Sequence, residues 1–234
     1  MKNPTISVKP YYYHGIIRVI PREARKFMIT NSTLIRNLRK SLKLTLQQEL
    51  VLYGTLLGDG SLLSNAWGKN FRLSVRHGIK QKDYLFWKYE IFKEWTLSPP
   101  KYYSKTSSWS FRTISHPDLT NIAYQFYSDK KKQIPINIEK YIKEPLAMAV
   151  WWMDDGNIRK SKSKIYGGML NTQSFSLKDN LRLKSLLEKN YKIKVLIIKD
   201  HGKPRLYISG KDNIKQFLDI IRPYCLSSFN YKFS

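Results

Sequence analysis

Apolar and polar positions recur in a fixed order along the chain. From Thr45 the run Leu50, Val51, Leu52, Tyr53, Leu56 and Leu57 follows Thr45 and Gln48 at capping-box spacing, which predicts a helix ending at Asp59-Gly60. Residues 61–67 and 70–77, separated by Gly68-Lys69, predict a hairpin. In its second arm Arg72, Ser74 and Arg76 alternate with Phe71, Leu73 and Val75, so one face is basic and the other apolar. Residues 82–95 carry Leu85, Phe86, Tyr89, Ile91 and Phe92 at helical spacing, and Ser98-Pro99-Pro100 breaks the chain after them. A second hairpin is expected around Ser107-Ser108 and another helix over 119–127.

The same order then returns. Pro145 opens an apolar helix that ends at Asp155-Gly156, followed by a hairpin, a helix over 177–189 and strands over 194–200 and 204–209. Asp59 and Asp155 stand 96 positions apart, and the same offset carries Lys82, Asp83, Leu85 and Lys88 onto Lys178, Asp179, Leu181 and Lys184. The chain is therefore read as a basic N-terminal extension over 1–44, a first repeat over 45–140 and a second over 141–234. The extension holds ten Lys or Arg residues and a single acid, Glu23; it is a candidate DNA contact or a solvated leader.

Charge narrows the partner. Lys and Arg number 42 against 17 acids, a formal net charge of +25, so the long-range field attracts polyanions, and nucleic acid is the natural one. Cys225 is the only cysteine, and His14, His77, His116 and His201 pair with nothing at metal spacing, which excludes zinc modules and disulfide frameworks. With 42% hydrophobic residues the chain can bury a core, but it contains no run near the roughly 18 apolar residues of a membrane span. Residues 1–7 lack the apolar centre of a secretory signal. The expectation is an intracellular protein without membrane contact. Abundant Lys, Ile, Asn and Tyr suit an AT-rich coding genome, so a mitochondrion or other organelle stays open.

The chemistry concentrates where the two apolar helices end. A carboxylate at a helix C-terminus meets the negative end of the macrodipole, which costs several tenths of a kcal/mol and calls for a compensating cation. One Asp-Gly pair is an ordinary turn, but two in repeat register point to a site. If the helices pack side by side, with Gly54 and Gly58 allowing close approach, Asp59 and Asp155 meet at one end and repel unless a divalent cation binds between them. Oxygen ligands beside an anionic substrate suit Mg²⁺ and in-line attack on a phosphodiester, and two acids match two strands.

Residues 52–60 (LYGTLLGDG) and 148–156 (MAVWWMDDG) resemble the paired motifs of LAGLIDADG homing endonucleases, and the resemblance covers 45–234. LSPP at 97–100, LNTQSFS at 170–176, the KKKQIP run from Lys130 and the late YKF narrow it to the mitochondrial omega-intron type. The resemblance implies an α+β fold of two pseudo-symmetric αββαββα repeats, with saddle-shaped antiparallel sheets and the two motif helices packed at the centre. It implies a monomer that binds a long, non-palindromic double-stranded DNA site in the major groove and makes a Mg²⁺-dependent double-strand break with short 3′ overhangs, promoting intron or intein mobility. Mn²⁺ is expected to substitute, and Ca²⁺ to bind without supporting cleavage.

The resemblance also assigns roles. Asp59 and Asp155 become the metal-binding acids, with the preceding residues Gly58 and Asp154 part of the metal site; Lys132 and Lys232 lie near the reacting phosphates. Gln173 matches a polar position beside the metal-bound water, and His77, 96 positions earlier, takes its place in the first repeat as a departure with potential pH sensitivity. Val150, standing where Gly54 stands in the first motif, together with Trp151 and Trp152, marks the halves as unequal. Candidates for DNA contact are Arg72, Ser74 and Arg76 in one strand, Arg112 in another, Lys199, Arg205, Tyr207 and Ser209 in the second repeat, and loop residues Lys160, Lys162 and Lys164. Two alternatives share the fold: an RNA maturase that binds its host intron RNA, for which the acids are dispensable, and a non-catalytic DNA-binding regulator, expected to have lost an acid. Neither acid is lost here.

Overall fold

The computed structural model describes residues 11–13, 16–18, 33–64, 70–129, 131–162 and 164–233. The Gly68-Lys69 turn, Lys130 and most of the basic extension lie outside them. The chain divides into two compact units, Met1–Leu42 and Lys43–Ser234. In the first, β1 (Tyr11–Tyr13) pairs antiparallel with β2 (Ile16–Arg18), and a helix α1 (Thr33–Ser41) follows. No element was expected there; Ile35, Leu38 and Leu42, spaced three and four apart, give α1 a buried stripe.

The second unit starts with α2 (Leu46–Leu57). The Gln48 amide donates to Thr45 Oγ1 at 3.2 Å and the Thr45 amide to Gln48 Oε1 at 3.1 Å, closing the expected capping box. Then come β3 (Ser61–Ser64), β4 (Phe71–Gly78), α3 (Lys82–Ile91), β5 (Lys101–Tyr103), β6 (Ser108–Arg112) and α4 (Pro117–Phe126). A short ladder of β7 (Tyr127–Ser128) and β8 (Lys131–Lys132) and a turn of helix α5 (Glu139–Ile142) lead to α6 (Pro145–Asp155). The second half repeats the plan with β9 (Gly156–Ser161), β10 (Lys164–Leu170), α7 (Leu177–Tyr191), β11 (Val195–Asp200), β12 (Lys203–Ser209) and α8 (Lys211–Ile221). The two antiparallel sheets have orders β3-β4-β6-β5 and β9-β10-β12-β11, the same path traced twice.

Several predicted boundaries moved; the helix expected over 119–127 is α4, Pro117–Phe126. The helix expected over 82–95 tightens at Phe92, whose amide donates to both Lys88 O and Tyr89 O, and continues as a 3-10 turn, Lys93–Trp95. The helix expected over 177–189 runs on to Tyr191, where Lys192 stops it in a left-handed conformation, φ 54°. The ladder β7–β8 and helix α5 were not foreseen, since neither is long enough to show a period.

From Leu50 in α2 and Ala147 in α6 the two helices are largely apolar and buried to their last turns, the pattern of a central pair. Their contact depends on missing Cβ atoms. A Cβ at Gly54 would lie 2.4 Å from Ala147 O and 2.8 Å from Val150 Cβ, and one at Gly58 would lie 2.4 Å from Asp154 Cβ. With an offset of 96, Gly54 corresponds to Val150 and Gly58 to Asp154, so a glycine on one helix receives the larger residue at the matching position of the other.

Candidate active site and nucleic-acid interface

Each motif helix ends next to a carboxylate, and a lysine from far along the chain caps its last backbone carbonyls. The Lys132 ammonium, carried by β8, donates to Gly58 O at 3.1 Å. Lys232, in the closing 3-10 turn Ser227–Lys232, donates to Trp152 O at 3.3 Å, Met153 O at 2.7 Å and Asp154 O at 3.3 Å. These carbonyls lie at the negative helix ends, where Trp152 O also accepts the Gly156 amide, so the compensating cations expected from the macrodipole are in place. Burial pushes both lysines below their ordinary values, opposed by the nearby acids Asp59, Asp154 and Asp155.

The acids themselves are poised. Asp59 is open to solvent beyond the end of α2, and Asp155 is half-buried as the last residue of α6. Burial, then the charges of Asp59 and Asp154, push the Asp155 carboxyl up to about 7, against the pull of Lys132 and Lys232. Partial desolvation and Asp154 raise Asp59 as well. Carboxylates that resist ionising beside one another favour a divalent cation, and the set offers only oxygens, so the residues fit a hard ion such as Mg²⁺.

His77 places a ring nitrogen within 4.8 Å of one oxygen of Asp59 and one of Asp154, but as a buried group. It shares strand parity with Leu73 and Val75, and the three are buried while Arg72, Ser74 and Arg76 lie on the other face. Burial and the Lys88 charge push the imidazole down to about 3, so the pH sensitivity expected of it is corrected: it is neutral at working pH. The Asp154 side chain stands in one cluster with Asp59 and His77, within 4.8 Å of both, and it is also engaged by a cation. It is fully buried and its two oxygens are taken by Lys88 Nζ at 2.9 and 3.0 Å. Gln173 lies in the turn after β10 with its amide nitrogen on Asp200 Oδ2 at 2.7 Å. The turn is set by Thr172, whose hydroxyl donates to Asn180 Oδ1 at 2.6 Å and accepts the Leu206 amide at 3.1 Å, so this buried polar pair ties the LNTQSFS segment to α7 and β12.

The open sheet faces carry most of the remaining candidates. On the first sheet Ser74 pairs with Arg112 and Arg76 with Ser110, placing these residues in one layer with Arg72. Burial, then the Arg112 charge, hold the Arg72 guanidinium below its ordinary value, and the Arg76 guanidinium carbon lies 4.9 Å from the centre of the Tyr103 ring. On the second sheet Arg205 donates to Asp200 Oδ2 and Asn157 Oδ1, each at 3.3 Å, and also to Asn171. Tyr207 donates to Tyr166 O at 2.9 Å, and Ser209 pairs with Gly167. Arg159, absent from the candidates, pairs with the same Gly167 and is exposed. Lys199 departs from expectation: Ile198 is the partner of Arg205 and Lys199 the partner of Pro204, so Lys199 lies on the opposite face from Arg205 and Tyr207. Lys160, Lys162 and Lys164 are exposed at the β9–β10 hairpin end, Lys162 with φ 44°.

The sequence pattern of the LAGLIDADG DNA endonuclease family matches residues 50–217. This chain is a LAGLIDADG endonuclease. DNA endonuclease I-ChuI of Chlamydomonas applanata is 27% identical over 213 residues, covering 82% of this chain and 97% of that protein. Cytochrome b mRNA maturase bI2 of Debaryomyces hansenii is 26% identical over 195 residues, covering 78% and 71%. The homing endonuclease I-WcaI, solved bound to its DNA recognition sequence, superposes with a TM-score of 0.78 at 27% identity, covering 87% of this chain and 93% of that one. The LAGLIDADG motifs are α2 and α6, and because one chain supplies both, the endonuclease is of the two-repeat, single-chain type. Among the described residues no helix is long and apolar enough to cross a membrane.

Proposed function

We propose that this endonuclease recognises one long, non-palindromic double-stranded DNA site and cuts both strands in a Mg²⁺-dependent reaction that leaves short 3′ overhangs and promotes the mobility of a host intron or intein. The observation that supports the reading is that α2 and α6 pack as a pair whose ends carry Asp59 and Asp155, close enough for the charge of one to raise the other, and that a lysine caps the carbonyls of each end. Asp59 and Asp155 would hold the metal by their carboxylates, with the backbone oxygens of Gly58 and Asp154 beside them. When bound, Mg²⁺ supplies Lewis acidity that activates water and stabilises a leaving oxygen. Lys132 and Lys232 hold positive charge where negative charge grows on a phosphate, and partial burial strengthens that field. The open faces with Arg72, Ser74, Arg76, Arg112, Arg159, Arg205, Tyr207 and Ser209 lie in the major groove, some gripping phosphates and some base edges. The chain acts as a monomer, since the helix pairing at the centre is internal.

The test is cleavage, with Mg²⁺, Mn²⁺ or Ca²⁺, of a DNA library containing candidate insertion sequences, comparing the wild type with Asp59→Asn and Asp155→Asn and mapping ends on both strands. A discrete double-strand cut in Mg²⁺ or Mn²⁺, absent in Ca²⁺ and abolished in either variant, is expected. Specific binding without cutting would favour the maturase reading, a name that the Debaryomyces relative carries, or the non-catalytic regulator.

A further inference from the structure

Beneath Asp59 lies a cation that the proposed chemistry leaves unused. Lys88, on α3 of the first repeat, is fully buried. Its ammonium lies 2.9 and 3.0 Å from the two oxygens of Asp154 on α6, 3.4 Å from His77 Nε2 and 4.1 Å from the centre of the Tyr84 ring. The pair therefore joins the first repeat to the motif helix of the second. It exists in one half only: Lys184, the counterpart of Lys88, pairs at 2.9 Å with Glu188 on its own helix, and the counterpart of Asp154 is Gly58.

The location gives this asymmetry a consequence. One carboxylate oxygen of Asp59, one of Asp154 and a ring nitrogen of His77 lie within 4.8 Å of one another. An unmatched carboxylate on Asp154 would repel Asp59 across that gap with little solvent to screen it, and an unmatched ammonium on Lys88 would draw Asp59 inward. We propose that Lys88 and Asp154 act as one charge-matched pair that positions Asp59, keeping its carboxylate free for a divalent cation and for the strand that its half-site cuts. Lys88 is then a positioning residue. Asp154 is its counter-charge, and neutral His77 packs beside both without adding charge. The inference rests on the paired-carboxylate reading.

Four proteins test it: wild type, Lys88→Met, Asp154→Asn and the double variant. The first measurement is the melting-temperature rise caused by Ca²⁺ on the free protein, and the second is the ratio of nicked to linear product from supercoiled plasmid carrying the recognised site, in Mg²⁺. Each single variant is expected to lose most of the Ca²⁺-induced rise, to accumulate nicked circles and to yield linear product at least about tenfold more slowly, because one buried charge is left bare. The double variant is expected to recover both readouts to within about threefold of wild type. A Lys88→Met protein like wild type in both measurements would overturn the proposal, as would a folded double variant no better than the worse single one. Should a single variant fail to fold, the folded double variant decides by the same threefold criterion. If wild type cuts no DNA, the nuclease reading fails, and the Ca²⁺-dependent melting pattern across the variants still judges the pair.

Discussion

Asp155→Asn is expected to stabilise the metal-free protein at neutral pH while abolishing its chemistry. In the folded state the Asp155 carboxyl is pushed from 3.8 to about 7, first by burial and then by Asp59 and Asp154. A carboxyl whose folded value lies above its unfolded one opposes folding once it ionises. The penalty is absent below the unfolded value, grows by about 1.4 kcal/mol per pH unit and is complete above the folded value. A shift of about three units sets a ceiling of about 4 kcal/mol, and solvent on the open side of this half-buried group reduces the usable part to about 2 kcal/mol. Asparagine keeps the shape and removes the charge, so the variant should melt roughly 4–8 °C higher than wild type at pH 8. The gain should fall below half at pH 5, and Ca²⁺ should close the gap by stabilising only the wild type. Differential scanning calorimetry at the two pH values measures this. A variant that melts at or below the wild-type temperature at pH 8, or one whose gain is the same at both pH values, would refute the reasoning.

Three other perturbations have simpler outcomes. Gly54→Ala places a Cβ 2.4 Å from the Ala147 carbonyl, so α2 and α6 must separate; a drop of about 1–3 kcal/mol in urea unfolding is expected. Lys232→Met removes the ammonium that Met153 O and Asp154 O accept from at the end of α6, while Trp152 O keeps the Gly156 amide; it should cost roughly 1–2 kcal/mol while leaving DNA nicked on one strand, read on a plasmid gel. DNA affinity should fall steeply with salt, and replacing both Arg72 and Arg112 by Ala should flatten the log–log slope by about 0.9 for each phosphate that the two arginines neutralise, as followed by fluorescence anisotropy.

Much of this architecture was legible in one dimension. The 96-residue register located both helix ends, the capping box fixed the start of α2, and the alternation in β4 sorted its residues into two faces. That alternation already put His77 with Leu73 and Val75, yet its register with Gln173 suggested a shared role; strand parity is local physics, and it prevailed. Lys88 and Lys184 looked equivalent for the same reason. What separates them is the residue presented by the opposite motif helix, Asp154 for one and Gly58 for the other, which only packing reveals. The mounts of Lys132 and Lys232, a two-residue strand and a 3-10 turn, have no periodicity to read, so these lysines came from family resemblance alone.

The unequal seam between α2 and α6 limits how the two halves can be recombined. A dimer built from two copies of the first repeat would set Gly54 against Gly54 and Gly58 against Gly58, leaving voids along its centre. Two copies of the second would force Val150 against Val150 and the Asp154 side chain against its own copy, crowding the seam that the glycines now keep open. Chimaeras that exchange one repeat with a relative therefore have to carry the motif helices across as a matched couple, and any ancestral symmetric form of this scaffold must have had a different residue at one of these positions.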